Sequence, residues 1–182
     1  MKEIDVLSGV SGAGKDFVLN ELERRSGLQF KRVNLGRLIF DENNKNQEAD
    51  KEENIDRAFD AAERIAVRDL GRTILNLYNT YGEAPGTQHS NQARLQNLPL
   101  EKSLVIESDP DIIVARREKD AQFRNRAQNN QQEIAQIQRV STDIAKIVAK
   151  QKDIPFKVFR NDGNLDIDDV KDFLEEQYKK FY

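Results

Sequence analysis

The residues with the clearest chemical meaning stand near the start of the chain. Gly9-Val10-Ser11-Gly12-Ala13-Gly14-Lys15 has the spacing G-x-x-x-x-G-K, which suits a loop that wraps phosphate groups. The glycines let backbone N–H groups turn toward phosphate oxygens without a Cβ in the way. Lys15 would bring a point charge to the β- and γ-phosphates of a nucleoside triphosphate. Ile4, Val6 and Leu7 read as a short strand entering the loop. A helix follows from Asp16, so its N-terminal partial positive charge adds to the cradle. The competing reading, a glycine-rich turn with an incidental lysine, does not explain the strand-before, helix-after context. Gly9, Ser11, Gly12, Ala13, Gly14, Lys15 and Asp16 are therefore the candidate ATP-binding positions, with Lys15 also a candidate catalytic residue.

The motif usually continues with Ser or Thr, whose hydroxyl meets Mg²⁺, and this chain has Asp16 instead. A carboxylate can hold Mg²⁺ directly or through water, although it adds negative charge beside the phosphates. It can equally serve only to stabilise the helix N-terminus. Asp16 is the candidate metal ligand, and Mg²⁺ carried with ATP is the expected cofactor. Phosphoryl transfer also needs positive charge around the moving group, for which Arg116, Arg117, Arg124 and Arg126 are available. Arg124 and Arg126 fall between two predicted helices, where a lid over residues 116–130 could close and expel water. A solvated charged face is the alternative for such a run. His89 is the only histidine, in Thr87-Gln88-His89-Ser90.

Several elements must position these groups. The first helix stops near Gly27, a natural C′ residue, and Phe30 to Val33 suits a second strand. Gly36 to Phe40 is a brief helical or loop segment, and the almost wholly polar residues 41–54 read as a surface stretch. Apolar residues from Ile55 to Tyr81 recur at helical spacing, predicting one long helix, or two in line, ending at Gly82. Residues 83–99 carry Pro85, Gly86 and Pro99 and read as loop. Ser103 to Glu107 is a buried strand, and Asp109-Pro110 an N-cap and N1 pair for a helix to about Phe123. Ile134 to Val148 marks another long helix, and Phe156 to Phe159 a last strand. A turn at Asn161 to Asn164 leads to a C-terminal helix burying Val170, Phe173, Leu174 and Phe181. Strands alternating with helices predict an α/β fold with a parallel sheet covered on both faces, in one domain over residues 1–182.

Composition sets bounds on function. The chain is 37% apolar and 34% charged, with a net charge of −3, so no global basic field recruits nucleic acid. The chain has no cysteine, which excludes disulfides, zinc thiolates and thiol catalysis. No apolar run reaches the roughly 18 residues of a membrane span, so a cytoplasmic setting is expected.

These residues together resemble the archaeal-type adenylate kinases and related P-loop nucleoside-monophosphate kinases over nearly the whole chain. Besides the phosphate loop, Val33-Asn34-Leu35-Gly36 resembles the family's Val-Asn-aromatic-Gly segment at the monophosphate site. Arg68, Gly71 and Arg72 resemble a helix ending Ala-Gly-Arg-Lys-Ile. Thr87-Gln88-His89-Ser90 falls on Asp-Thr-His-Ser, Leu98-Pro99 on Leu-Pro, and Val105-Ile106-Glu107-Ser108 on Val-Val-Glu-Thr. Arg124-Asn125-Arg126 coincides with the lid's Arg-Asn-Arg.

The resemblance implies a three-layer P-loop kinase fold with about five parallel strands, a monophosphate-side helical region over residues 34–80 and a small arginine-bearing lid. It implies γ-phosphoryl transfer from MgATP to a nucleoside monophosphate, most simply AMP, and commonly a homotrimer. By position, Arg124 and Arg126 would close as the lid, and Asn34, Gly36, Leu38, Arg57 and His89 would face the acceptor, with Arg64 the rival of Arg57.

The chain departs from the family at Asp16, at Thr87 in place of an acid, and at residues 81–86, which lack the apolar run of the central strand. Gly-Lys-Asp also occurs in some P-loop kinases of other small phosphorylated acceptors, the phosphomevalonate and ribosyl-bisphosphate kinases. The alternatives are a kinase of that kind, or an ATP-binding regulatory or assembly factor with weak turnover.

Overall fold

The computed structural model describes residues 4–25, 27–45, 50–68, 71–78, 80–81, 89–120 and 130–176. Its elements run β1 (Ile4–Ser8), α1 (Lys15–Arg25), β2 (Lys31–Asn34), α2 (Leu35–Lys45), α3 (Lys51–Arg68), β3 (Thr73–Asn76), β4 (Thr80–Tyr81), β5 (His89–Ser90), α4 (Gln92–Asn97), β6 (Leu100–Glu107), α5 (Pro110–Asp120), α6 (Gln131–Lys152), β7 (Phe156–Arg160) and α7 (Ile167–Glu175).

Five strands form one sheet in the order β2-β3-β1-β6-β7, and every neighbouring pair is parallel. All carboxyl ends therefore meet along one edge. The chain reverses its direction across the sheet at β1, the place where open α/β sheets hold their ligands.

β1 and β3 are buried at every position, because helices cover both faces of the sheet. On one face Val18, Leu19 and Leu22 of α1 and Val170, Phe173 and Leu174 of α7 close over Leu7, Ile74, Leu104 and Ile106. On the other, Ile55, Ala58, Phe59 and Ala62 of α3, Leu95 of α4, and Ile144 and Val148 of α6 close over Val6, Val33 and Leu75. The two-residue strands β4 and β5 pair antiparallel in a separate ribbon.

Three sequence-based expectations are corrected. The helix expected to run from Ile55 to Gly82 ends at Arg68, and Thr73–Asn76 is a strand lying between β1 and β2. Four consecutive buried residues have no period-2 alternation, so Ile74, Leu77 and Tyr78 fitted a helical spacing equally well. The central strand sought at residues 81–86 thus lies earlier, and it ends at Asn76. The polar stretch 41–54 is largely helical, with α2 reaching Lys45 and α3 starting at Lys51. Residues 83–99 include the short helix α4.

Two polar devices finish helix ends, and the second also ties a helix to the sheet. Asn130 and Glu133 form a reciprocal capping box at the start of α6, satisfying two N–H groups that the helix leaves unpaired. Lys102 on β6 is buried, and its Nζ donates to the carbonyls of Phe173 (2.8 Å), Leu174 and Glu176 (2.6 Å). A cation there meets the orphan carbonyls at the negative end of α7.

Candidate active site

The loop after β1 is shaped by backbone that only glycine adopts comfortably. Gly9, Gly12 and Gly14 have φ of 142°, 91° and 97°. A Cβ at Gly9 would lie 2.3 Å from the Ile106 carbonyl oxygen, and one at Gly14 2.1 Å from Asn161 Nδ2. The motif's first and last glycines are therefore required by neighbouring chain as well as by torsion angle. Lys15 opens α1 and is only 7% exposed. Its Nζ donates to the carbonyls of Gly9 (2.6 Å) and Val10 (3.1 Å) and stands 4.1 Å from the centre of the Tyr78 ring.

Behind the loop, a polar network holds its carbonyl side. Arg116 on α5 donates through Nη1 to Gly12 O and Ala13 O, both at 3.3 Å, and through Nη2 to Asn161 O at 2.9 Å. Arg117 Nε donates to Ser11 O at 2.9 Å, and Asn161 Nδ2 to Ala13 O at 3.0 Å. Ser108 Oγ donates to Asn161 O (2.8 Å), and Gln138 Nε2 to Ser108 O (2.9 Å). The Asp162 carboxylate accepts from the Asp109 backbone N–H (2.7 Å) and from Arg160 Nε (3.1 Å). The Asp109 bond, with smaller help from Arg160 and Ser108, holds the Asp162 carboxyl below its ordinary value despite partial burial. Arg116 and Arg117, candidates for charge around the moving phosphoryl group, are thus bonded to loop carbonyls. The residues Ser108, Asn161, Asp162 and Gln138 were not singled out from sequence. Ser108 stood out only as the end of Val105-Ile106-Glu107-Ser108, and Asn161 only as the start of a turn.

The front of the loop is built differently. Asp16 Oδ1 is ion-paired with Arg32 Nη2 of β2 and accepts from Asn76 Nδ2 at 3.0 Å. Asn76, at the end of β3, is 4% exposed, and its Oδ1 is buried with no hydrogen-bond partner among the described residues. Asn34 Oδ1 accepts from Arg37 N at 3.1 Å at the start of α2, while Arg37 pairs outward with Asp41. A Cβ on Gly36 would lie 3.8 Å from Tyr78 Cε2, so the Tyr78 ring that stands over the Lys15 ammonium also faces the first turn of α2. Tyr78 is 42% exposed.

Leu38 is partly buried against the α3 side of the core. Arg57 pairs along its own helix with Glu53 at 2.5 Å, and among the described residues no bond joins it to the loop. Arg124, Arg126, Thr87 and Gln88, and with them most of the expected lid, lie outside the described residues, as does the His89 side chain. The His89 backbone pairs with Tyr81 in the ribbon.

The donors at Asp16 fit Mg²⁺ brought in on a nucleotide. Among the described residues no three His, Cys, Asp or Glu side chains form a metal cluster, so the protein offers no closed cage. It offers one carboxylate and an unpaired amide oxygen beside the phosphate loop, and Mg²⁺ accepts hard oxygens from one or two protein groups together with phosphates and water.

The parallel sheet of order β2-β3-β1-β6-β7, with this loop opening at its central strand, defines a P-loop kinase. The chain belongs to the AAA domain family, whose model matches residues 8–135. It is similar to the adenylate kinase of Thermoplasma acidophilum, 25% identical over 168 residues that cover 86% of this chain and 88% of the relative. Among solved structures, shikimate kinase from Bacteroides thetaiotaomicron shares the fold with a TM-score of 0.58 and 16% identity, covering 96% of this chain and 99% of that one. A structure from Chloroflexus aurantiacus does so with a TM-score of 0.61 and 12% identity, covering 97% and 98%. No helix of the described residues is long and apolar enough to cross a membrane.

Proposed function

We propose that the protein transfers the γ-phosphoryl group of MgATP to a nucleoside monophosphate, AMP foremost, yielding two nucleoside diphosphates. The observation that carries this reading is the Tyr78 ring, which has the Lys15 ammonium 4.1 Å from its centre and lies where a side chain added at Gly36 would meet it. The ring thereby links the phosphate loop to the start of α2, which supports Asn34 to Leu38 as the acceptor side. The adenylate kinase relative supports the same acceptor class.

In this reading the loop N–H groups and the α1 N-terminus hold the triphosphate, and Lys15 leaves its carbonyl partners to meet the β- and γ-phosphates. Asp16 and Asn76 would hold Mg²⁺, which when bound would supply positive charge against the negative charge developing on the phosphates. Asn34, Gly36 and Leu38 shape the acceptor side, with Arg57 or Arg64 and His89 as its outer wall. Arg124 and Arg126 close as a lid. An acceptor phosphate oxygen attacks the γ-phosphorus in line as the bond to the β-phosphate oxygen breaks. No covalent enzyme intermediate or protein base is needed.

Asp16 favours one second reading, a P-loop kinase for another small phosphorylated acceptor. A coupled assay of ATP against AMP, CMP, UMP, their deoxy forms, phosphomevalonate and shikimate separates the two. AMP is expected to accelerate ADP formation most. Acceleration only by a non-nucleotide establishes the second reading, and acceleration by none overturns both in favour of an ATP-binding module.

A further inference from the structure

Asp16 places a negative charge directly after the phosphate-loop lysine, where an incoming triphosphate carries several more. In the structure this carboxylate is not left to solvent. Arg32 reaches it from β2, and the same guanidinium donates through Nη1 to Asn20 Oδ1 at 3.0 Å. Asp16 and Asn20 lie four residues apart on α1, so the fork is held at two points one helical turn apart. Asn76 adds a third arm from β3 to the same Oδ1. The Arg32 side chain is 25% exposed and that of Asp16 56%, so the pair sits at the mouth of the site rather than in the core. Among the described residues both contacts on the Asp16 carboxylate fall on one oxygen, and the second carries neither.

We propose that Arg32 is a positioning residue that lets an acid serve in the triphosphate site. Its fork ties the Asp16 carboxylate through Oδ1, so that the negative charge does not swing onto the phosphates and the other oxygen stays available to a hydrated cation. The inference rests on the loop holding a nucleoside triphosphate and is independent of which acceptor is used. It assigns a role to a residue remote in sequence from the motif, and it accounts for an acid at a position usually filled by a hydroxyl.

The test is a double-mutant cycle read by nucleotide binding, with no acceptor and no turnover. Binding of a fluorescent ATP analogue is measured in EDTA and again in Mg²⁺, for wild type, Arg32→Gln, Asp16→Asn and the pair. In EDTA, Arg32→Gln should weaken binding about fivefold, the scale of one unscreened unit charge at contact distance in water. Asp16→Asn should not weaken it, and in the Asp16→Asn background Arg32→Gln should cost less than about twofold. In Mg²⁺, the gain in affinity that the metal gives should shrink in Asp16→Asn and in Arg32→Gln alike.

An equal loss from Arg32→Gln in both backgrounds overturns the proposal, because Arg32 would then act on the phosphates or on the fold. No loss in either background overturns it too. If Arg32→Gln does not fold, Arg32→Lys, which keeps the charge but loses the fork, enters the same cycle. It should retain EDTA binding and lose part of the Mg²⁺ gain, and loss of EDTA binding there also overturns the proposal. Failure of the acceptor assay leaves every arm of this cycle readable.

Discussion

The back and the front of the phosphate loop are held by opposite means. Behind it, Arg116, Arg117, Asn161 and Ser108 satisfy loop carbonyls and one another through interlocking buried and part-buried bonds. In front, Asp16, Arg32, Arg37 and Tyr78 are partly exposed and each is tied by one to three contacts. A network with every member satisfied specifies one geometry and resists change. A set of half-exposed groups can be exchanged at small cost to the fold. The first arrangement suits phosphate, which every nucleoside triphosphate presents identically. The second, at Arg37 and Tyr78, suits the acceptor side proposed above, where replacing side chains would change what is recognised.

The strongest way to break this comparison is a pair of glycine substitutions. Gly9→Ala forces a Cβ against the Ile106 carbonyl at a positive φ, and should cost about 3 kcal/mol or more of stability in urea unfolding. Gly36→Ala, inside α2 with its closest contact at 3.4 Å, should change stability by less than about 1 kcal/mol and act on the acceptor KM instead. Equal losses would erase the distinction between back and front.

Lys15→Met comes next. It should lower turnover on the order of a hundredfold to a thousandfold, as loss of one preorganised charge donor does, in a protein that still melts cooperatively. Arg116→Ala should remove about 1–3 kcal/mol by taking its donor from the Gly12 carbonyl and one of two donors from each of the Ala13 and Asn161 carbonyls, against no more than about 0.5 kcal/mol for the exposed Arg37→Ala. Tyr78→Ala should raise the acceptor KM severalfold more than that of ATP, on the order of 1 kcal/mol, and Tyr78→Phe should restore it.

The smallest effect is a pH dependence. Asp162 has its carboxyl lowered from 3.8 in the folded protein, first by the Asp109 N–H. A lowered folded value contributes stability that is fully present above the unfolded value and is lost as pH falls through the folded one. Wild type should therefore lose stability faster than Asp162→Asn as pH drops below about 4, and the two should run parallel near neutrality. Acid titration followed by circular dichroism gives the comparison.

The cradle was legible in the sequence because its glycines answer to a local demand. Positive φ and close chain approach fall within seven residues and leave a fixed spacing. β6 was legible for a similar reason, since Leu104, Val105 and Ile106 form a run too apolar for any exposed site. β3 was not, because Thr73 to Asn76 is short and ends in a polar residue whose purpose appears only when β3 lies next to β1. The same holds for the partners of Asp16. Arg32 is 16 residues away in sequence and Asn76 is 60 away, and sheet order alone brings them to one carboxylate. Asn161 looked like a turn residue and is that, but its amide also closes the loop from 148 residues beyond Ala13.

Lys102 offers a practical handle on all of these measurements. Its ammonium grips the end of α7 from the amino-terminal part of β6, across the sheet from the edge where the loop opens. A dye or surface attachment placed at Glu176 would therefore be anchored to a held point remote from the nucleotide. Its signal would report global unfolding with little direct disturbance of phosphate binding. Stability and ligand affinity could then be followed separately in one labelled preparation.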